Sequence, residues 1–339
     1  MNGLSMATMR DVAKLAGVST ATVSRVLSKT NNVEPETTAR VRAAIDQLGY
    51  EVDGMAQSLR VRSTFTFALI IPDLTNPFFP ELATVVQQNA ARAGYDVAIF
   101  SVDTPGGGSE GLFEHYLRAI RRKRYDVVIF AETLPIDPTA HAQLVATGTP
   151  VVLISGIPHP QADRVYIDDY GAARDLTRYL IEKGHTAIAH ITGAPGMSST
   201  IERARGFRDC LQEAGLPAEP DLEVPGTFLR DGGYAAMRHL LDRSPWPTAV
   251  FAANDLTAHG AMLACLDAGV KVPDQIAIAG FDDIAVAADL RPALTTVYHG
   301  QREIGAEVVR LALTRARQKV PEERQTIIVP HRLIVRQSA

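Results

Sequence analysis

The sequence is poor in the features that mark secreted, metal-binding and membrane proteins. Only two of its 339 residues are cysteines, Cys210 and Cys265, which lie far apart and without metal-site spacing. Such sparing use of cysteine is typical of a reducing compartment. No apolar run approaches the roughly eighteen residues of a membrane span, and the N-terminal region has no apolar signal-peptide core. We therefore expect a cytoplasmic protein with no membrane partner.

Sequence signatures of catalysis are missing as well. There is no phosphate-binding loop, no cluster of metal ligands, and no nucleophile accompanied by histidine and acid partners. The glycine-rich stretch TPGGGSE, residues 104–110, lacks the lysine of a nucleotide-binding loop and is better explained as a surface loop. We expect no enzyme activity, no metal ion and no cofactor.

The net charge is small, but it is unevenly distributed. Residues 1–62 carry eight Lys/Arg against six Asp/Glu, a net charge of +2, which leaves −6 on the remainder. A mildly basic N-terminal piece on an acidic body is compatible with a polyanionic partner, although a solvated charged face explains it equally well.

After residue 64, short β-rich runs alternate with helix-compatible stretches. This alternation predicts buried parallel strands joined by crossover helices. Seven such units exceed one comfortable sheet, so we predict two doubly wound α/β lobes that divide near HPQADRVYIDD, residues 159–169. The predicted strands are TFALIIPD, DVAIFSVD, DVVIFAE, PVVLIS, TAIAHITG, TAVFAAND and QIAIAGFDD.

The C-terminal tail departs from this alternation. Its strand-like segments, ALTTVYHG at 293–300 and TIIVPHRLIVRQS at 326–338, follow the last clear βα unit. They are compatible with strands that return the chain across the gap between lobes. Because ligands bind at the carboxyl ends of the strands in open α/β sheets, the cleft between the lobes is the expected ligand site.

The first fifty residues have the pattern of a small helical unit. In TMRDVAKLAGVSTATVSRVL, residues 8–27, apolar positions including Leu15 can bury one side of two short helices. Gly17 interrupts the first helix and Ser19 is a good N-cap for the second, which is the helix-turn-helix layout. A third helix fits EPETTARVRAAIDQLGY, where Pro35 suits the first turn and apolar residues recur at helical spacing.

The second helix presents small side chains at its N-terminal end. Thr20 and Ala21 allow a close approach to base edges in a major groove, and Thr22 and Ser24 can donate to phosphates. Arg25 can reach either a guanine edge or a phosphate. A helical subdomain that only packs against the rest of the protein is the alternative interpretation.

These segments together resemble the lactose-repressor (LacI/GalR) family of bacterial transcription regulators. The resemblance is carried by DVAKLAGVSTATVSRVL followed by TTARVRAAIDQLGY, and it extends through nearly the whole chain in family order. The further matching motifs are LTNPFFPEL, VYIDDYGAARDLTRYLIEKGHTAIAHITG, RARGF, AANDLTAHGAM, IAIAGFDD and HRLIVRQS. The resemblance implies an N-terminal helix-turn-helix head, a hinge helix, and a body like that of the periplasmic binding proteins.

By this resemblance, the base-reading positions are Thr20, Ala21 and Arg25, and the positions that contact the DNA backbone are Ser19, Thr22 and Ser24. In the hinge-like stretch DGMAQSLRVRS, Leu59 matches the leucine that wedges into the minor groove, and Ala56 lies beside it. A buried linker leucine is the simpler alternative for Leu59.

The hinge departs from the family pattern. Glu51 and Val52 stand where an apolar residue and a proline are common, and Gly54 begins the helix. Asp53 can cap it, but glycine costs about 1 kcal/mol relative to alanine inside a helix. The free hinge is therefore expected to be marginal, which suits a switch and equally suits weak operator binding.

The ligand pocket is expected to begin at NPFF, which follows the first strand of the body. Its asparagine can hydrogen-bond hydroxyls and its aromatic rings can stack on a ligand ring, although one of the two phenylalanines is expected to be core. The resemblance supplies the rest of the wall, and a forked arginine opposite an aspartate suits a polyol. The predicted ligand-binding residues are Asn76, Phe78, Phe79, Arg203, Phe228, Asn254, Asp282 and His299.

Two positions leave the class of ligand open. Ser155 and Gly156 stand where sugar-binding relatives often have Asp-Arg, and Ala131 and Glu132 stand where polar contacts occur. A carbohydrate-like effector is expected, with a nucleoside or another ring compound as the alternative. His185, Asp168 and Asp169 are read as structural residues.

The resemblance implies a repressor that binds a pseudo-palindromic DNA operator as a homodimer and is controlled allosterically by a small molecule. The rival hypothesis is a solute-binding receptor of a transporter, which uses the same two-lobed body but needs export and no head. We expect the DNA-binding domain at 1–51, the hinge at 52–64 and the ligand-binding domain at 65–339. Within it, lobe 1 is expected at about 65–164 and 294–323, and lobe 2 at about 165–292 and 325–339.

Overall fold

The computed structural model describes residues 7–27, 33–50, 63–102, 109–122, 125–131, 138–154, 157–317 and 323–339. The chain separates into two compact units, Met1–Thr64 and Phe65–Ala339, here called the head and the body. The hinge residues Ala56 and Leu59 lie outside the described residues, as do Glu132, Ser155 and Gly156.

The head contains helices α1 (Met9–Ala16), α2 (Thr20–Leu27) and α3 (Pro35–Leu48). Local chemistry fixes where they begin and end. Thr8 and Asp11 form a reciprocal capping box at the start of α1, and Gly17 ends that helix in the left-handed conformation, with φ 65°. Pro35 stands at the first turn of α3 and Gly49 ends it, also left-handed. The predicted turn and the three predicted helices are confirmed.

A small apolar core joins the three helices. Val12, Val23 and Val41, one from each helix, are fully buried, and Ala13, Ala16, Val26 and Ala44 pack with them. Leu15 was predicted to belong to this core, and that prediction is wrong. It lies on the outer side of α1 and is 47% exposed. The short side chains allow the helices to approach closely.

The body is built from parallel strands with helices between them. Its strands are β1 (Thr66–Ile71), β2 (Asp96–Ser101), β3 (Val127–Ala131), β4 (Val151–Ile154), β5 (Asp163–Ile167), β6 (Ile188–Ile191), β7 (Glu223–Val224), β8 (Ala249–Ala252), β9 (Ala277–Ala279), β10 (Thr296–Tyr298), β11 (Thr326–Val329) and β12 (Arg332–Ile334). The seven β-rich runs of the sequence therefore form strands. Strands such as β3 are buried at every position, because helices cover both faces of the sheet.

The helices of the body are α4 (Phe78–Arg92), α5 (Ser109–Arg121), α6 (Pro138–Ala146), α7 (Asp169–Glu182), α8 (Ser198–Glu213), α9 (Arg230–Leu241), α10 (Asp255–Asp267), α11 (Ala285–Asp289) and α12 (Gln301–Arg317). None of the described helices is long and apolar enough to cross a membrane.

Two parallel sheets define two lobes. The first sheet has the strand order β11-β5-β4-β3-β1-β2 and the second has the order β7-β6-β8-β9. Between them, β10 and β12 pair antiparallel, with Val297 opposite Leu333. The tail segments 293–300 and 326–338 therefore do form strands, and β10 and β12 lie where the chain passes between the sheets.

The expected division of the lobes needs one correction. Thr326–Val329, assigned to the second lobe, forms β11 at the edge of the first sheet, with Ile327 paired to Val165 of β5. Val165–Ile167 belongs to the first sheet as well. The apolar pattern predicts a strand there but cannot tell which sheet edge accepts it. The end of the chain does stay with the second sheet, since Ser338 Oγ donates to Ile278 O at 2.6 Å.

A buried ion pair fixes the edge of the first sheet. Asp163 at the start of β5 is fully buried and accepts two hydrogen bonds from Arg315 of α12, at 2.6 and 2.7 Å. The Gln325 N–H, just before β11, donates to the same carboxylate at 2.8 Å. The pair therefore ties α12, β5 and β11 together.

Replacing Arg315 with methionine is expected to lower the free energy of unfolding by about 3 kcal/mol, because it leaves a buried carboxylate without its main partner. Urea unfolding followed by circular dichroism measures the loss. Arg178→Met is the control, since Arg178 is exposed and pairs with exposed Asp175, and it is expected to cost less than about 1 kcal/mol. Equal losses in the two variants would contradict the prediction.

Candidate functional site

The exposed N-terminal end of α2 is the first candidate site. Val23 and Val26 face the core of the head, so Thr20, Ala21 and Arg25 are left exposed, while Thr22 and Ser24 are half-buried. The residues predicted to read bases thus share the outer side of one helix. The structure holds no DNA, and their contacts with bases stay a prediction.

Ser19 organises the start of this helix. Its hydroxyl accepts the Thr22 N–H at 3.1 Å and lies 3.0 Å from the Thr22 hydroxyl. The cap predicted for Ser19 is therefore present. The remaining amides of the first turn, together with the helix dipole, favour an anion at this end.

The second candidate site lies at the carboxyl ends of the body's strands. Asn76 follows β1 in the first sheet, whereas Phe228, Asn254 and Asp282 follow β7, β8 and β9 in the second. Carboxyl ends of parallel strands are where open α/β sheets bind ligands. The predicted pocket residues therefore occupy the edges that the two lobes turn toward the gap between them.

A buried charge network forms the centre of this site. Arg203 of α8 is only 3% exposed; its Nε donates to Asp169 Oδ1 at 2.7 Å and its Nη1 donates to Ala253 O at 2.6 Å. Asp282 Oδ1 lies 4.0 Å from Arg203 Nη1 and 3.0 Å from His299 Nδ1. Asp169, at the start of α7, thus has a structural partner that the sequence did not reveal, while Asp168 caps that helix.

Aromatic rings surround the network. The Arg203 guanidinium carbon lies 3.6 Å from the ring centre of Phe281 and 5.9 Å from that of Phe228. On the first lobe, Phe78 contacts His299 with ring centres 4.7 Å apart and meets Phe79 edge-on at 5.1 Å. The predicted aromatic residues are therefore brought together, and Phe281 is an additional one.

Phe228 is held close to the backbone of a neighbouring strand end. A Cβ atom on Gly193, just after β6, would come within 2.0 Å of the Phe228 ring. Only glycine leaves room for the ring at this point.

The two asparagines are engaged mainly by the protein itself. Asn254 caps α10: its Oδ1 accepts from the N–H and the hydroxyl of Thr257, and its Nδ2 donates to Phe228 O at 3.0 Å. Asn76 Oδ1 accepts the Phe78 N–H at 3.1 Å. One amide hydrogen of Asn254 remains for a ligand, so this residue positions the site more than it offers new bonds.

Strained backbone accompanies the site. Phe228, Asp282 and Asp283 have φ values of 62°, 106° and 53°, which side chains other than glycine seldom adopt. Asp282 is held there because its N–H donates to Val297 O and its carbonyl accepts from the Gln301 side chain. Such strain persists only where the surroundings fix it, and it concentrates at binding sites.

Asp255 is a functional candidate that the sequence analysis missed. It is fully buried at the start of α10, where its carboxyl group accepts from Thr296 Oγ1 at 2.5 Å and from the Ile284 N–H at 2.9 Å. Burial, reinforced by nearby Asp282, raises the pKa of Asp255 well above its usual value. The motif AAND placed an acid after β8, but only the fold reveals that it is buried where the lobes join.

One contact crosses between the lobes beside this network. Glu81 of α4 accepts the N–H of Ala285, the first residue of α11, at 3.3 Å. Burial, assisted by the charges of Asp282 and Asp283, raises the pKa of Glu81, although the Ala285 hydrogen bond opposes this shift. The contact exists only while these two helix ends are close together.

Profiles of known families match both units. One described as bacterial regulatory proteins, lacI family, matches residues 8–53, and one described as a periplasmic binding protein-like domain matches residues 177–339. The chain is 35% identical to the ribose operon repressor of Escherichia coli strain K12, over 96% of this chain and 98% of the relative. It is 34% identical to the HTH-type transcriptional regulator DegA of Bacillus subtilis strain 168, over 98% of this chain and 97% of the relative.

Solved structures agree with this match. A transcriptional regulator CelR–cellobiose complex is similar with a TM-score of 0.75 and 32% identity, covering 98% of this chain and all of that one. The lac repressor dimer bound to operator and the anti-inducer ONPF has a TM-score of 0.86 at 24% identity, covering 98% of this chain and 99% of that one. At this identity the similarity is one of fold.

Asp255→Asn is expected to change how stability depends on pH. Because the folded-state pKa of Asp255 is raised above 3.8, the contribution of Asp255 to stability falls as the pH rises above 3.8, and a side chain that cannot ionise avoids this loss. Urea unfolding at about pH 5 and about pH 8 should therefore show the asparagine variant gaining relative to wild type at the higher pH. Asp231→Asn, an exposed control, should show no such gain; the same stability difference at both pH values for the Asp255 variant would refute the prediction.

Proposed function

Because the chain belongs to the lacI family of bacterial regulatory proteins, we propose that it is a repressor whose operator affinity is set by a small polar ligand bound in its body. The observation that carries this proposal is the pairing of two sites on one chain. The head presents a capped helix with a small, exposed N-terminal face, and the body gathers Arg203, Asp282 and aromatic rings at the carboxyl ends of two sheets.

In this proposal α2 lies in the major groove of DNA. Thr20 and Ala21 are small enough to bring the helix close to base edges, and the Thr22 and Ser24 hydroxyls donate to phosphates. Arg25 reads a base. Ser19 contributes to the backbone contacts from the cap of the same helix, whose first-turn amides favour phosphate.

We further propose that the protein acts as a homodimer on a pseudo-palindromic operator, because two heads related by a two-fold axis read two half-sites. Residues 1–51 form the DNA-binding domain, 52–64 the hinge and 65–339 the ligand-binding domain. In the hinge, Leu59 and Ala56 enter the minor groove, where an apolar wedge bends the duplex.

The proposed ligand is carbohydrate-like. A sugar hydroxyl both donates and accepts, which suits the guanidinium of Arg203 and the carboxylate of Asp282, while aromatic side chains such as Phe78 and Phe228 cover an apolar ring face. Asn76, Phe79, Asn254 and His299 complete the proposed site. The names of two relatives, a ribose operon repressor and a regulator in complex with cellobiose, point in the same direction.

Ligand control follows if the ligand prefers one arrangement of the lobes. A ligand shifts such an equilibrium only by its difference in affinity for the two states, typically about 1–3 kcal/mol. Glu81 and Ala285 are in contact in the present arrangement, and we propose that a ligand which favours this arrangement also favours that contact.

Selection of duplexes from a random pool by the full-length protein tests the proposal. Enrichment of a palindrome is expected, followed by a severalfold change in its affinity when ribose, cellobiose, other pentoses and hexoses, or nucleosides are titrated into the complex. The sign of the change distinguishes an inducer from a corepressor. No enriched sequence at low or moderate salt would overturn the proposal and leave a binding module.

Arg25→Gln is expected to relax discrimination at one position of each half-site by about 1–3 kcal/mol. The reason is that a guanidinium donates two hydrogen bonds to a guanine edge, which glutamine cannot reproduce. Competition binding of single-base variants of the enriched palindrome measures this, with Arg42→Gln on α3 as the control. Equal weakening on all sequences would assign Arg25 to a phosphate instead.

Asp282→Asn is expected to weaken ligand binding by about tenfold or more, because a hydrogen bond to a charged acceptor is worth about 1.5–3 kcal/mol. Calorimetric titration with the sugar or nucleoside that shifts operator affinity gives the dissociation constant. Asp231→Asn makes the same chemical change at a side chain that is 89% exposed and should leave affinity unchanged. Unaltered binding by the Asp282 variant would remove this residue from the site.

A further inference from the structure

A cluster of arginines on the first lobe has no role in either site described above. Arg118 and Arg121 in the last turn of α5, and Arg122 directly after it, are all exposed, whereas Leu117 and Ile120 of the helix are buried at 0% and 1% exposure. Spacings of three and four residues place the arginines on one side of the helix. We call these three residues the α5 arginine face; Lys123 and Arg124 continue the run in the sequence.

The α5 arginine face lies at a defined edge of the first sheet. The chain passes from α5 to the start of β3, so the face borders the amino ends of the parallel strands. The body's first residue, Phe65, is held at the same edge: its N–H donates to Asp126 at 3.1 Å, and its carbonyl accepts the Asp96 N–H at 2.8 Å. The polypeptide that leads from the head is therefore attached to the body beside this face.

Some exposed helix arginines of this protein pair with acids one helical turn away, as in Arg178–Asp175, Arg205–Glu202 and Arg310–Glu307. Others, such as Arg92 and Arg238, have no such pair within the described residues, but they do not form a cluster. Within the described residues no such ion pair involves the three arginines of α5. Like charges at these spacings repel by a few tenths of a kcal/mol per pair, so the face carries a cost that an anionic partner would remove.

We propose that the α5 arginine face binds backbone phosphates of the DNA that flanks the operator, an inference that rests on the proposed function. Residues 118–122 span about 6 Å of helix axis, and each strand of B-DNA presents a phosphate about every 3.4 Å along its axis. Three forked guanidinium groups on this length of helix can contact neighbouring phosphates of one strand.

The surroundings favour DNA over a small anion. The three arginines are exposed, so each guanidinium group is accessible to an extended partner. A polyanion gains from several exposed charges at once, and its binding releases counterions.

The test compares salt dependence in the full-length protein. Two duplexes carry the palindrome enriched by selection. The short duplex, of about 20 base pairs, ends where the palindrome ends. The extended duplex continues on both sides to about 40 base pairs. Dissociation constants are measured by fluorescence anisotropy from low to moderate salt for wild type and for Arg118→Gln/Arg121→Gln/Arg122→Gln. Glutamine keeps the helix propensity of arginine while removing its charge.

On the extended duplex, the triple variant is expected to bind about tenfold or more weakly at low salt, with a slope of log K against log salt reduced by about 2 to 3. On the short duplex the two proteins should differ much less, and the preference for the palindrome over mixed sequence should be unchanged. A variant with lysine at all three positions should keep the wild-type slope, which separates charge from folding.

The matched control is Arg178→Gln/Arg205→Gln/Arg230→Gln, which removes three exposed charges from helices α7, α8 and α9 of the second lobe. Its slope should equal that of wild type. If the α5 variant and this control have the same slope on the extended duplex, the inference is overturned while the proposed function stands. If wild-type protein shows no preference for any sequence, the proposed function fails and the inference falls with it.

Discussion

The structure of the body depends on the pairing of one buried charge, the guanidinium group of Arg203. Arg203 is almost fully buried where the two lobes meet, and an unpaired guanidinium there would be strongly destabilising. Its partners come from three places in the chain: Asp169 at the start of α7, Ala253 after β8 and Asp282 after β9. Satisfying one side chain therefore fixes the relative positions of three separate segments.

The same requirement extends to the other polar groups of the candidate ligand site. Main-chain and side-chain hydrogen bonds hold Asp282 in a strained conformation. The side-chain oxygen of Asn254 already accepts a hydrogen bond as the cap of α10. A site whose polar groups are already oriented loses little conformational entropy on binding. Close to this site, Thr296 of β10 donates a buried hydrogen bond to Asp255 at the start of α10.

Sequence reasoning succeeded where the deciding interactions are local. The caps at Thr8, Gly17 and Ser19 and the continuous apolar strands act over a few residues, so the helices of the head and the strands of the body could be predicted. It failed where distant segments compete for one place. Which sheet edge takes Thr326–Val329, and that Asp255 is buried beside Asp282, depend on packing between residues far apart in the chain. The resemblance to a family supplied most of the predicted pocket residues, which spacing alone could not have assembled.

Charge distribution adds a constraint on how such a body can approach DNA. Outside residues 1–62 the chain carries a net charge of −6, which by itself disfavours contact with a polyanion. Screening limits each charge to a range of about 8–10 Å at moderate salt, so a nearby duplex responds to the local surface rather than to the total. The basic end of α5 lies beside Phe65, where the chain from the head joins the body. In the proposed contact, a basic edge on an acidic body would favour one orientation of the body toward a duplex over the others, without any base contact.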